Sequence, residues 1–255
     1  MEKNAGSAGI YAKNNARKRC AGVAGMLQLS CTQKPASHDR QNGSKRCHGK
    51  GDFGMKVAMI GHKDFPSRSG GVEVMVGGLA VSMVRRGYEV TVYNRGLQKG
   101  HNVYTTEGVQ ARRIFTVQKA SLNAMVYSFL ATFDALTRDC DVIHYHAIGP
   151  SVPLVIAKLF GKHTVCTVHG LNWKVDKWGG FASAYLKLGE RVAAKYADDL
   201  VVLSESEWNY FQEKYDRTAI LIPNAVQMRQ PLPCNLIRKK YGLEAGSYIL
   251  YVGRI

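Results

Sequence analysis

From Met55 onward, short apolar runs alternate with stretches of helical spacing, and this alternation constrains the fold more than any other feature of the chain. Lys56 to Ile60 reads as a strand. Val72 to Arg86 carries apolar residues at Val72, Val76, Leu79, Ala80 and Met83, a helical period, with Gly87 as its stop. Glu89 to Tyr93 is a second strand. Val109 to Val117 contains a third, paired with Val103 to Thr106. Ser121 to Arg138 reads as a helix with Ser121 as N-cap and Leu122, Met125, Val126, Phe129, Phe133 and Leu136 along one side. Asp141 to His146, Thr164 to Val168, Leu200 to Leu203 and Ala219 to Ile222 are further strands. Helices fall near Val152 to Phe160, Phe181 to Tyr196 and Glu205 to Tyr215. Continuously apolar strands separated by helices call for a mostly parallel sheet covered on both faces, an α/β doubly wound, Rossmann-like domain. Ligands of such a sheet gather at the carboxyl ends of its strands.

After Asn224 the pattern changes. Pro231 and Pro233 bracket a linker-like stretch, Asn235 to Tyr241 reads as a short helix, and Ser247 to Val252 as a strand with no helix behind it. The expected organisation is a disordered basic leader over 1–54, foreign to the domain, an α/β domain over 55–228, and a linker with the first strand of a second, incomplete domain over 229–255.

The leader holds ten Lys/Arg against three Asp/Glu, so it carries +7 of the +16 net charge. Rich in Gly, Ala, Ser, Asn, Lys and Arg, it has too little apolar surface to offset chain entropy. Met55 is read as the natural start, with an organellar transit peptide as the alternative. No run reaches the ~18 to 20 apolar residues of a membrane span. The six cysteines contain no C-x-x-C pair, and Cys47-His48 fits no zinc spacing, so free thiols and no metal are expected.

Four groups of residues are candidates for chemistry. "PSRSGGVEV" places Gly70 and Gly71 between a strand and a helix, where outward N–H groups and absent side chains admit a diphosphate or a sugar; a plain turn is the alternative. His169 follows "TVCTV" at a strand's carboxyl end and suits hydrogen bonding to a sugar hydroxyl or to developing charge. His144 and His146 share a strand face; His146, nearer the carboxyl end, is the site candidate and His144 a packing residue. "LNWKVDKWGG" mixes Asn172, Lys174 and Lys177 with Trp173 and Trp178, a composition fit for a sugar or an anionic acceptor. The 121–138 helix, preceded by Arg112, Arg113 and Lys119, is a candidate for peripheral contact with an anionic membrane, although its apolar stripe is assigned to ordinary core.

The segments "MKVAMIG…SGGVEVMVGGLAVSMVRRGYEVTVY", "DVIHYHAIGP", "TVHGLNWKVDKW", "GERVAAKYADDLVVLSE", "LIPNAV" and "YILYVGRI" together resemble, in this order and over about 200 residues, the N-terminal half of GT-B glycosyltransferases of the family-4 type. "GLNWKVDKW" and "GERVAAKYAD" look most like a bacterial subgroup that includes rhamnosyltransferase-like enzymes of surface polysaccharide assembly. That subgroup often has Asp at the position of His169, and His169 is closer to the general family pattern.

The resemblance implies a cytoplasmic enzyme whose N-terminal domain binds a saccharide or lipid-linked acceptor and whose C-terminal domain binds the nucleotide-sugar donor. It implies that Gly70 and Gly71 lie against donor phosphates or acceptor, that His169 contacts the transferred sugar, and that Asn224 lies near the crossing between domains. Arg254 matches the family's phosphate-binding arginine, whose partner lysine falls beyond Ile255, so this chain is expected to fold but not to transfer by itself. The nucleotide-sugar is a substrate, and neither cofactor nor metal is implied. Three rivals stand beside this reading. An NAD(P)-dependent sugar enzyme lacks G-x-G-x-x-G and an acid after the second strand, which ends Asn94-Arg95. A binding module for nucleic acid lacks any such motif. A sugar-nucleotide epimerase of the same architecture would need no acceptor.

Overall fold

The alternation resolves into one eight-stranded sheet in the computed structural model, which describes residues 54–96, 103–171, 180–224, 235–244 and 246–251. The strands are β1 (Lys56–Ile60), β2 (Glu89–Gly96), β3 (Val103–Thr106), β4 (Val109–Phe115), β5 (Val142–His146), β6 (His163–Thr167), β7 (Asp199–Val202) and β8 (Ile220–Leu221). The helices are α1 (Gly71–Val84), α2 (Ala120–Leu136), α3 (Leu154–Leu159), α4 (Gly180–Tyr196), α5 (Glu205–Tyr215) and α6 (Asn235–Tyr241). Strand order is β3-β4-β2-β1-β5-β6-β7-β8. Every pairing is parallel except the β3–β4 hairpin.

Period-two alternation builds a core on each face. On β1, Val57 and Met59 point toward α1 and pack with Val76, Leu79, Ala80 and Met83. Ala58 and Ile60 point the other way, toward Tyr127, Ala131 and Ala135 of α2, Leu154 of α3, Val192 of α4 and Phe211 of α5. Each such fully buried aliphatic side chain contributes roughly 1.5–3 kcal/mol. Local signals set the helix ends. Gly87, at φ +91°, closes the turn after α1 by donating to Val84 O at 2.9 Å. Ser204 caps α5 by accepting from Glu207 N at 3.3 Å, and Asp216 ends it in the left-handed region. Glu190 of α4, fully buried, accepts from Tyr210 Oη, Lys214 Nζ and Tyr215 Oη and so ties α4 to α5.

Three expectations are corrected. α2 begins at Ala120 with Lys119 as N-cap, so Ser121 lies inside the helix. Its buried face is Tyr127, Ser128, Ala131, Thr132 and Ala135, and the stripe assigned to the core lies on its flanks, with Phe133 at 49% exposure. Small residues let the helix approach the sheet closely, and Thr132 Oγ1 satisfies itself on Ser128 O and Tyr145 Oη. Residues 248–251 form no strand, since no neighbouring strand pairs with them among the described residues, and Ile249 is fully exposed.

The chain divides into two compact units between Ala225 and Val226. The first holds the sheet. The second holds α6, whose Arg238 Nε donates to Glu244 Oε2 just beyond it at 2.9 Å. Among the described residues, no helix is long and apolar enough to cross a membrane.

Candidate functional site

The strand order reverses between β1 and β5. The chain runs outward from β1 through β2 to β4, then crosses back through α2 to β5 and continues the other way. A crevice opens at the carboxyl ends of strands at such a switch point, and ligands of doubly wound sheets bind there. Gly61 ends β1 at φ +132°, and a Cβ there would lie 2.1 Å from the carbonyl oxygen of His146 at the end of β5. Only glycine fits. Its N–H donates to Tyr127 Oη at 3.2 Å, and its carbonyl accepts from Arg95 Nη2 at 3.0 Å.

The loop that follows is pinned from below. His62 Nε2 lies 2.9 Å from Asn94 Oδ1, and Asn94 Nδ2 donates to Phe65 O at 2.9 Å. Tyr104 Oη donates to the same carbonyl, and the Phe65 side chain is buried against α1. The loop ends in Gly70, the extended N-cap of α1, and Gly71, its first residue. The two glycines differ in surroundings. A Cβ on Gly70 would meet Glu73 Oε2 at 2.4 Å, whereas one on Gly71 would meet nothing within 4 Å. Glu73, only 6% exposed, accepts from Lys63 N at 3.3 Å.

That carboxylate was not among the residues the sequence singled out, because Val72-Glu73-Val74 reads as an ordinary first helical turn. It changes the electrostatics of the loop. A helix N-terminus presents roughly +0.5 elementary charge, and the Glu73 carboxyl group sets hydrogen-bond acceptors beside it that suit ligand hydroxyls.

Opposite the loop stand the histidines. His146 is fully buried, its Nδ1 3.4 Å from Nε2 of half-buried His169. His144, buried beneath, holds Thr167 Oγ1 at 2.8 Å through Nε2, and its ring centroid is 4.1 Å from that of His146. Burial lowers the pKa of His169 to about 4, partly opposed by Glu73. It lowers that of His144 to about 3 and that of His62 to about 4, and it holds His146 well below the usual histidine range. All four rings are neutral near pH 7.

The tautomers follow from His146 Nε2, which is buried without a partner. An unpaired buried N–H is costlier than an unpaired lone pair, so His146 carries its proton on Nδ1 and donates it to His169 Nε2. His169 then bears its own proton on Nδ1 and offers a hydrogen-bond donor to a ligand. Ala147, next after β5, adopts φ +76° and donates its N–H to Thr167 O at 2.8 Å, a conformation that costs a non-glycine residue about 1 kcal/mol or more.

Of the residues expected at a site, His146 and His169 are brought together, and Gly70 and Gly71 lie at the N-terminus of α1. Asn224 is exposed just past β8, two strands beyond β6 and hence on the order of 10 Å to the side of the histidines. Asn172, Lys174 and Arg254, with Trp173, Lys177 and Trp178, lie outside the described residues, as does the leader over 1–53. Among the described residues, no three His, Cys, Asp or Glu side chains are placed to hold a metal ion.

Sucrose-phosphate synthase from Thermosynechococcus elongatus shares this fold, with a TM-score of 0.59 at 18% identity over 75% of this chain and 53% of its own. The present chain thus spans about half the length of that solved structure. A second structure under the same name covers 68% of this chain and 90% of its own at 13% identity, with a TM-score of 0.47. No curated protein matches the chain. Residues 69–230, well over half of the sequence and including α1, both site histidines and every strand from β2 to β8, match the profile of Glycosyltransferase Family 4, and the chain belongs to that family.

Proposed function

We propose that residues 55–228 form the acceptor-binding domain of a glycosyltransferase that moves a sugar, of hexosyl or rhamnosyl type, from a nucleotide-sugar donor to a saccharide or lipid-linked acceptor in cell-surface polysaccharide assembly. Residues 229–255 lead into the nucleotide-sugar domain, where Arg254 holds donor phosphate. The observation that carries this reading is the neutral His146–His169 pair at the switch point of a chain in a glycosyltransferase family. His169 donates to an oxygen of the transferred sugar and stabilises charge that builds there in the transition state, while His146 sets its tautomer. Gly71 gives the sugar room, and Glu73 accepts from its hydroxyls. Asn172 and Lys174 complete the acceptor side, and Asn224 lies at the crossing between domains. The reaction as proposed uses no cofactor or metal.

The end of β2 supports this reading over a nicotinamide enzyme. Asn94 is held by His62 and Phe65, the two Arg95 Nη atoms are tied to Gly61 and Asn123, and β2 itself supplies no carboxylate to bind a ribose, the nearby Asp64 being drawn to Arg113. The enzyme works in the cytoplasm at the inner face of the membrane, with the outward residues Leu130 and Phe133 of α2 as its contact.

The test is a transfer assay on the full-length protein, with a panel of nucleotide-sugars and saccharide or polyprenyl-linked acceptors, read by product mass. One donor–acceptor pair should give the glycosylated product. His169→Ala should lower its rate by roughly 10²–10³-fold, with only the modest drop in thermal midpoint that follows from leaving the buried His146 Nδ1–H without its acceptor. Absence of product from every pair, or full activity of His169→Ala, would overturn the proposal.

A further inference from the structure

Beside the switch point, the carboxyl ends of β1, β2 and β4 border an open recess of about 580 Å³ whose lining includes Lys63, Asp64, Arg95, Gly96, Arg113 and Asn123. Three cations face one carboxylate. The geometry points to an anion subsite that takes the phosphoryl group of a phosphorylated acceptor. This deepens the transferase reading, and only the word acceptor rests on it.

Each arginine keeps one buried Nε–H without a partner. Arg95 is fixed by hydrogen bonds from Nη1 to Asn123 Oδ1 at 3.3 Å and from Nη2 to Gly61 O at 3.0 Å, with its guanidinium 5.1 Å from the centroid of the Tyr127 ring. Neither of these acceptors is charged, and its buried Nε has no partner. Arg113 pairs loosely with Asp64, Nη2 to Oδ1 at 3.8 Å, and reaches the Tyr104 hydroxyl, yet its buried Nε is likewise unpaired. Lys63, exposed at the rim, has its backbone tied by Arg95 N–H to Lys63 O at 2.8 Å.

Arg112, the neighbour of Arg113, shows what a satisfied arginine looks like here. It meets Asp134 through Nε at 3.0 Å and Nη2 at 3.2 Å. Leaving buried guanidinium N–H groups unpaired is costly, and a phosphoryl group, with three acceptor oxygens, matches the two unpaired Nε–H groups and the Lys63 ammonium. Gly96 clears the way, because a Cβ there would lie 2.5 Å from Arg113 Cγ. Arg95 also connects the recess to the site already described, since the carbonyl it holds belongs to Gly61, which abuts His146. A phosphate seated here leaves the rest of the acceptor beside the histidines.

The test titrates the full-length protein with inorganic phosphate, calorimetrically and without donor. Arg113→Gln and Lys63→Gln should each weaken binding roughly tenfold, the loss of one charge-assisted contact. Lys195→Gln, an exposed residue on α4 with the same change in charge, should leave it unchanged. Glucose 6-phosphate in solution, and vesicles carrying polyprenyl phosphate compared with vesicles carrying the uncharged alcohol, then separate a phosphosugar from a lipid phosphate. Dependence of either on Arg113 supports the subsite and names its source. Phosphate affinity indifferent to Arg113 and Lys63, or equally reduced by Lys195→Gln, overturns it. A protein that binds phosphate here yet transfers no sugar keeps the subsite and loses the transferase reading. A working transferase with no such phosphate dependence does the reverse.

Discussion

Gly61 and Gly71 bound the same loop under opposite constraints. Gly61 combines φ +132° with a contact that puts any Cβ 2.1 Å from a backbone carbonyl oxygen. The atom in the way belongs to a central strand and has no freedom to yield, so Gly61→Ala should cost about 3 kcal/mol or more. Gly71 is exposed at the first position of α1, and a Cβ there enters empty space. Alanine should stabilise the helix by roughly 0.5–1 kcal/mol through reduced chain entropy. If that space is where the sugar lies, Gly71→Ala should transfer more slowly while unfolding at higher urea. Urea titration beside the transfer assay separates the two, and a Gly71→Ala protein that is stabilised and fully active would return the loop to the status of a plain turn. The paired glycines were legible in the sequence because their position between a strand and a helix has few explanations. Glu73 was not, because its burial depends on the loop folding back over the first turn of α1.

At the scale of elements, helical periodicity located α2 and misjudged its face. The large apolar residues mark a stripe, yet the sheet accepts Ala131, Ala135, Ser128 and Thr132, and leaves Leu130 and Phe133 41% and 49% exposed. Bulk identifies a buried face only where the neighbouring surface has room for it, and here close approach to β1 and β5 decides instead. The apolar run at 248–251 failed for a related reason, since a strand is defined by its pairing partner and not by its own composition. The boundaries of β1 and α5 were readable because each lies between strong local signals, such as the Ser204 cap. The outward face of α2 carries a prediction of its own. Vesicles rich in anionic lipid should sediment the full-length protein, and Leu130→Ser with Phe133→Ser should weaken this several-fold at the cost of only a small fall in thermal midpoint, since both side chains are already about half wet. Equal sedimentation of the double variant would remove α2 from any membrane contact.

For the molecule as a whole, the parallel sheet and its order follow from the alternation of apolar runs and helices, while the histidine cluster follows from a topology that brings β1, β5 and β6 side by side. The sequence put His144 and His146 on one strand face but showed His169 apart from them, and His62 not at all as a site residue, since nothing local says that its loop will fold back onto Asn94 of β2. Their collective burial makes a global prediction. Desolvation holds His62 and His169 near 4 and His144 near 3, against about 6.5 in an unfolded chain, with Arg95 further lowering His62 and Glu73 raising both His62 and His169. As pH falls below 6.5 the unfolded state takes up these protons first, so stability is intact above that value and declines down to about 4. A difference of two or more pH units corresponds to on the order of 3 kcal/mol per ring, and two or three rings together offset most of the ~5–15 kcal/mol by which a domain is stable. The domain should therefore unfold cooperatively between about pH 6 and 4, taking up protons as it does, when followed by far-UV circular dichroism from pH 8 to 3. His144→Gln should reduce the proton uptake of unfolding by about one, read from the slope of the unfolding free energy against pH. A thermal midpoint that stays flat from pH 7 to 4.5, or an uptake unchanged in His144→Gln, would mean that these rings meet protons as easily folded as unfolded, and the neutral, donor-presenting His169 on which the proposed chemistry depends would go with them.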